Sequence, residues 1–176
     1  MTVSERAKSG KKSLSPVLVK SGVRVTRYYA ILKQRFAEYF GTTVTFSLTD
    51  VPSHLTVGVS ESACTFVIVL AARLLLEAGG AEHLHAEMHG DGREIRLSLS
   101  GVPLRGDAFD AAVSKHAELF TRTAENAGFR FETEKHGDKA SFSFLLTVCA
   151  PNDYCRCETE ALVKADAFAE AMAYPL

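Results

Sequence analysis

The 176-residue sequence has no tryptophan, only three methionines, five prolines and four cysteines, and almost no net charge, with 20 Lys and Arg against 21 Asp and Glu. Four cysteines are too few for a disulfide scaffold in a chain this long, so free thiols and a reducing, cytoplasmic compartment are expected. No charged and apolar leader with a small-residue cleavage site opens the sequence, which points the same way. Balanced charge gives no overall attraction to nucleic acid or to an anionic membrane surface. The longest mainly apolar stretch, residues 63 to 72, is cut by Arg73. It falls short of the about 18 to 20 residues a membrane helix requires, so neither nucleic acid nor membrane is an expected partner. Also missing are a Gly-x-Ser-x-Gly elbow, a His-Glu-x-x-His helix, a P-loop and a dinucleotide fingerprint, each of which would announce a chemistry. What is present is 47% apolar residues, enough for one ordinary domain whose core needs no metal or disulfide.

Residues 1 to 15 carry Arg6, Lys8, Lys11 and Lys12 against the lone acid Glu5, with no apolar period, and read as a flexible basic tail. Residues 16 to 150 then alternate between two periods. Val25, Tyr28, Tyr29, Leu32, Phe36, Tyr39 and Phe40 recur at three- and four-residue intervals and predict a helix that Gly41 stops. Val44, Phe46 and Leu48 alternate with polar residues, as a half-buried strand does. Residues 60 to 78 are apolar nearly all round and predict a buried helix, capped by Ser60 or Ser62 and ended by Gly79-Gly80. Two strands follow around Ala86 and Leu97, joined at His89-Gly90-Asp91-Gly92. Then come a third helix from near Asp107 to Gly128 and a second hairpin turning at His136-Gly137-Asp138-Lys139. Residues 151 to 176 read as a cysteine-bearing loop and an alanine-rich helix over 158 to 172. The order α-β-α-ββ-α-ββ, with one polar face on every strand, predicts an α+β fold: a two-layer α/β sandwich with a mostly antiparallel, mixed sheet and its helices on one face.

This order, with a buried middle helix and a terminal hairpin, resembles the ATP-binding domain shared by histidine kinases, DNA gyrase and heat-shock chaperones, the Bergerat or histidine-kinase-like ATPase fold. Residues 118 to 147 carry one part of the likeness: a helix running to Gly128, a strand, a turn at Gly137, and a strand with Phe142 and Phe144. The middle helix carries the other, because it resembles the family's asparagine box. The resemblance implies a nucleotide pocket at that helix, yet the box here reads Arg73-Leu74-Leu75-Leu76-Glu77-Ala78. Arg73 stands at the first Asn, and Glu77 replaces the Asn that binds magnesium. Where the family's strand delivers an Asp to adenine, this chain reads Leu99-Ser100-Gly101, with Ser100 at the Asp position. The long glycine-rich lid is cut to Arg105-Gly106-Asp107, which leaves no glycine cradle for phosphates.

The resemblance therefore implies a degenerate domain with no cofactor and no kinase or ATPase activity, acting in bacterial signalling through a protein partner or self-association. A divergent member that still binds a nucleotide or related ligand would use Arg73, Glu77, Ser100, Gly101 and Arg105, with Arg73 or Arg105 on the phosphates. An unrelated α+β module remains a third reading. Arg73 and Glu77, four apart, can instead pair across one helical turn. A histidine phosphotransferase role lacks an acceptor, since only His116 falls on a helix. His83, His85 and His89 share one strand face around Glu87, where two imidazoles could share a metal or an exposed face could simply be polar. Cys149, Cys155 and Cys157 are a weak metal or redox pattern, and Cys64 reads as core. The aromatic stripe of the first helix is core, a docking face or a contact between copies, and the last helix packs on this domain or on another chain.

Overall fold

The computed structural model describes residues 20–52, 54–90, 92–149, 155–157 and 166–176, so the basic stretch 1 to 15 and residues 158 to 165 lie outside the described residues. In chain order the elements are β1 (Lys20–Arg24), α1 (Val25–Phe40), β2 (Val44–Thr49), β3 (Thr56–Val57), α2 (Glu61–Arg73), β4 (Leu84–Gly90) and β5 (Glu94–Gly101). They continue with α3 (Gly106–Ala127), β6 (Phe129–His136), β7 (Lys139–Thr147), β8 (Cys155–Cys157) and α4 (Ala167–Ala173).

Five strands form one sheet in the order β2-β4-β5-β7-β6. All its pairs are antiparallel except β2 with β4, which is parallel and makes the sheet mixed. Register places Phe46, Ala86, Leu99 and Phe142 in one row. This row faces the helices: Phe46 meets Tyr29 and Phe36 of α1, and Phe142 meets Phe109 and Phe120 of α3, at centroid distances of 5.3 to 6.0 Å. Such contacts suit the edge-on and offset geometries that aromatic rings prefer. The neighbouring row, Thr45, His85, Ser100, Ser141 and Glu134, occupies the other face. Period-two alternation thus becomes a two-layer sandwich, as the sequence predicts.

The middle helix is the core of the helical layer. Ser60 caps it, its hydroxyl accepting from the Ala63 amide, and every residue from Val67 to Arg73 is buried. Its last turn, Leu74–Ala78, widens into a π-turn, with the Gly79 amide reaching back to the Leu74 carbonyl at 2.9 Å. Gly128 ends α3 at φ 84°, a left-handed conformation that favours glycine.

Three short strands extend the architecture beyond the expectation. β3, β1 and β8 form a separate sheet, β1 antiparallel to β3 and parallel to β8. The chain just after β7 joins its edge, where the Cys149 amide donates to the Thr56 carbonyl at 2.8 Å. Cys149 is disulfide-bonded, whereas Cys64 is free and buried. The expectation of free thiols holds for Cys64 and fails for Cys149.

Candidate functional site

The resemblance directs attention to the end of α2. Arg73 is 8% exposed although it carries a full charge, so it must be paired. Its Nε donates to both carboxylate oxygens of Glu77 at 3.1 Å, and Nη2 donates to Oε2 at 2.8 Å. The spacing of four residues puts the pair on one helix face, as the sequence predicts. The remaining terminal nitrogen, Nη1, donates to the main-chain carbonyls of Ala171 at 2.7 Å and Tyr174 at 2.6 Å. These carbonyls close the last turn of α4, the end at which a helix carries partial negative charge. The guanidinium therefore joins α2 to α4, held on one side by Glu77 and presented by it to the other.

Arg105 sits nearby in a different role. Its Nη2 donates to the Glu77 carbonyl at 2.7 Å and its Nε to the Ala78 carbonyl at 3.4 Å, while its own amide reaches the Gly79 carbonyl at 2.8 Å. It is a cation on the carbonyl end of the middle helix, a favourable position for positive charge. The guanidinium covers Gly80, where an added Cβ would lie 2.9 Å from its Cζ.

Of the five residues read as pocket positions, Arg73, Glu77 and Arg105 come together and the other two do not join them as expected. Ser100 lies on the sheet face opposite the helices, in one row with His85 and Ser141. Leu97 and Leu99 face inward, so strand alternation sends Ser100 outward; this corrects its placement in the pocket. Gly101 holds the inward position. A Cβ there would meet the Leu84 side chain at 2.7 Å and the His83 carbonyl at 3.1 Å, so close packing of strands accounts for this glycine.

A buried histidine of α3 completes the neighbourhood. His116 is 5% exposed, and its Nε2 has no hydrogen-bond partner among the described residues. Tyr174 lies across from it at 6.0 Å between ring centroids and stands edge-on to Phe66 of α2 at 5.4 Å. Burial, then Lys115 and Arg73, push the His116 pKa below the usual histidine value. Residues 166 to 176 thus lie along a groove whose walls are α1, α2 and α3. At the other end of α4, Phe168 packs edge-on against Phe36 at 5.2 Å and against Tyr39 at 4.8 Å. Arg35 of α1 binds Asp166 at 2.5 Å. The aromatic stripe of α1 is therefore partly core and partly the bed of α4.

The polar sheet face holds the histidine group. His83 and His85 both bond to the Thr45 hydroxyl, at 3.3 and 3.2 Å, and His85 also bonds to Ser47 at 3.2 Å. Among the described residues, no group of three or more His, Cys, Asp or Glu side chains could hold a metal ion. No helix among them is long and apolar enough to cross a membrane.

A mixed sheet in this order under a buried middle helix and a flanking third helix is the histidine-kinase-like ATPase fold. Solved structures agree. The catalytic domain of histidine kinase ThkA, in a nucleotide-free form, matches with a TM-score of 0.53 at 13% identity, covering 73% of this chain and 95% of that one. A second nucleotide-free form of ThkA gives 0.52 at 12% identity, with the same coverage. The ATP-binding domain of PrrB from Mycobacterium tuberculosis gives 0.50 at 14% identity, covering 74% and 98%. At these identities the likeness establishes the fold alone. No family model matches the sequence, and no curated protein does.

Proposed function

We propose that this chain is a non-catalytic histidine-kinase-like domain that acts in bacterial signalling by binding a protein rather than by turning over ATP. The observation that carries the reading is the state of Arg73, at the first asparagine-box position. Its five donors would have to serve a nucleotide phosphate in a divergent ATP site. Instead its fork grips Glu77 and two main-chain carbonyls of the chain's own last helix. Arg105, the other candidate for phosphate, is likewise engaged with carbonyls of residues 77 and 78. The Glu77 carboxylate is itself taken up by Arg73, and Arg105-Gly106-Asp107 offers no run of glycine amides. Fold-level similarity supports the signalling context as analogy.

The test is a thermal melt with and without magnesium and millimolar ATP or ADP, together with an ATP-turnover assay. A ligand at a hundredfold excess over its dissociation constant stabilises a protein by about 2.7 kcal/mol. For a chain of this size that raises the melting temperature by roughly 5 to 10 °C. The expected result is no shift and no phosphate release. A shift that disappears in Arg73→Ala would establish the nucleotide-binding reading instead.

A further inference from the structure

The groove holding residues 166 to 176 deepens the protein-binding reading on which it rests. We propose that this groove is a recognition site for a helix of a partner protein, and that α4 is its exchangeable resident occupant.

α4 has seven residues, well below the length at which a helix stands alone in water, so docking is what forms it. The groove offers anchors of three kinds. Arg73 presents one nitrogen to the carbonyl end of a docked helix. Phe66 takes an aromatic ring at the occupant's last turn, and Phe36 with Tyr39 takes another at its first. Arg35 stacks over Tyr39 and Phe168 at 5.2 and 5.3 Å while binding Asp166, so it reads both the aromatic and the acid at the start of the occupant.

The resident fits these anchors incompletely in two places. Beside its first turn a cavity of about 290 Å³ stays open between α1 and α2, lined by Ile31, Leu32, Arg35, Glu61 and Thr65. Near its last turn the buried Nε2 of His116 has no hydrogen-bond partner among the described residues, and a buried polar atom left unpaired is unfavourable. A better ligand is therefore a helix longer than α4. It has an aromatic residue at each end of its docked face, an extra apolar side chain for the cavity, and a hydrogen-bonding side chain over His116. This chemistry favours a foreign partner over a second copy. A second copy brings the identical segment, without the extra contacts, against a competitor already tethered at high effective concentration.

Two measurements on the full chain test this. In native-state hydrogen exchange, the amides of Ala169, Glu170 and Tyr174 should exchange at least 100-fold faster than those of β5 and β7, because the resident opens without global unfolding. In His116→Phe, which removes the unsatisfied nitrogen, their exchange should slow by about tenfold while that of the sheet does not. Equal protection of α4 and the sheet would overturn exchangeability. In the second measurement, a fluorescent synthetic peptide spanning Asp166–Leu176 is titrated into the full chain and into Phe168→Ala/Tyr174→Ala, whose own occupant lacks both aromatic anchors. Binding should be at least tenfold tighter to the variant, and adding Arg73→Ala should remove the gain. Equal affinities, or no binding by a variant with unchanged circular dichroism, would overturn the proposal. A wild-type mass that doubles with concentration and reverts in the tail variant would make a second copy the occupant and overturn the foreign partner. ATP turnover would refute the non-catalytic reading while leaving the exchange and peptide results to stand on their own.

Discussion

Replacing Arg73 by alanine separates a structural clamp from an ordinary surface ion pair. The guanidinium is nearly buried and makes two short bonds to carbonyls of residues 171 and 174 in addition to its pair with Glu77. Hydrogen bonds from a charged donor contribute about 1.5 to 3 kcal/mol each. Loss of both leaves the carbonyl end of α4 without its cation, so a net cost of about 3 kcal/mol is a conservative sum. For a protein of this size that lowers the melting temperature by roughly 6 to 12 °C. Glu77→Gln removes only the exposed half of an i,i+4 pair whose carboxylate is 45% accessible. Solvent screening limits that change to about 0.5 kcal/mol, or roughly 1 to 2 °C. Arg73→Lys should fall between them, because an ammonium cannot hold Glu77 with two nitrogens while a third reaches α4. Thermal denaturation followed by circular dichroism gives all three values under one condition. Equal losses in Arg73→Ala and Glu77→Gln would refute the clamp and return Arg73 to the status of a simple helix pair.

Burial, chiefly, pushes the Cys64 thiol up to about 12, so at pH 8 it is a neutral thiol that a disulfide reagent should leave unmodified until urea unfolds the chain; peptide mass mapping reads the result, and rapid labelling in the native state would contradict it. His116 is held below the usual histidine value by burial, Lys115 and the facing Arg73. Its contribution is therefore complete above the unfolded value and is lost as pH falls through and below it, because the unfolded chain takes up the proton first. Urea midpoints measured from pH 7.5 down to pH 5 should fall less steeply in His116→Phe than in the wild type, and parallel curves would contradict this. Gly101→Ala drives a methyl to 2.7 Å from Leu84 and 3.1 Å from the His83 carbonyl. A cost of about 1 to 3 kcal/mol is expected from this overpacking, read as a lowered urea midpoint.

The main sheet was legible because its strands alternate cleanly. Leu84, Ala86 and Met88, and Ile95, Leu97 and Leu99, are buried while their neighbours are not. The same alternation sends Ser100 away from the helices, beside His85 and Ser141. The strands β1, β3 and β8 carry no such period. They exist through main-chain pairing between distant segments, such as Val23 with Val57 and Lys20 with Cys155, which a local window cannot register. The expected helix over 158 to 172 is found as Ala167–Ala173, with the earlier part outside the described residues. The Arg73–Glu77 pair follows from spacing alone. The bonds from Arg73 to residues 171 and 174 do not, since they span about a hundred positions.

That separation has a consequence for the protein while it is being made. Asp166 lies 131 positions after Arg35, and Tyr174 lies 101 after Arg73, whereas α1, α2 and α3 are complete by Ala127. Ribosomes add about 5 to 20 residues per second, so the three walls precede their occupant by an interval on the order of seconds. Until residues 166 to 176 are made, the aromatic bed on α1 and the Arg73 guanidinium lack the α4 contacts that cover them in the folded protein.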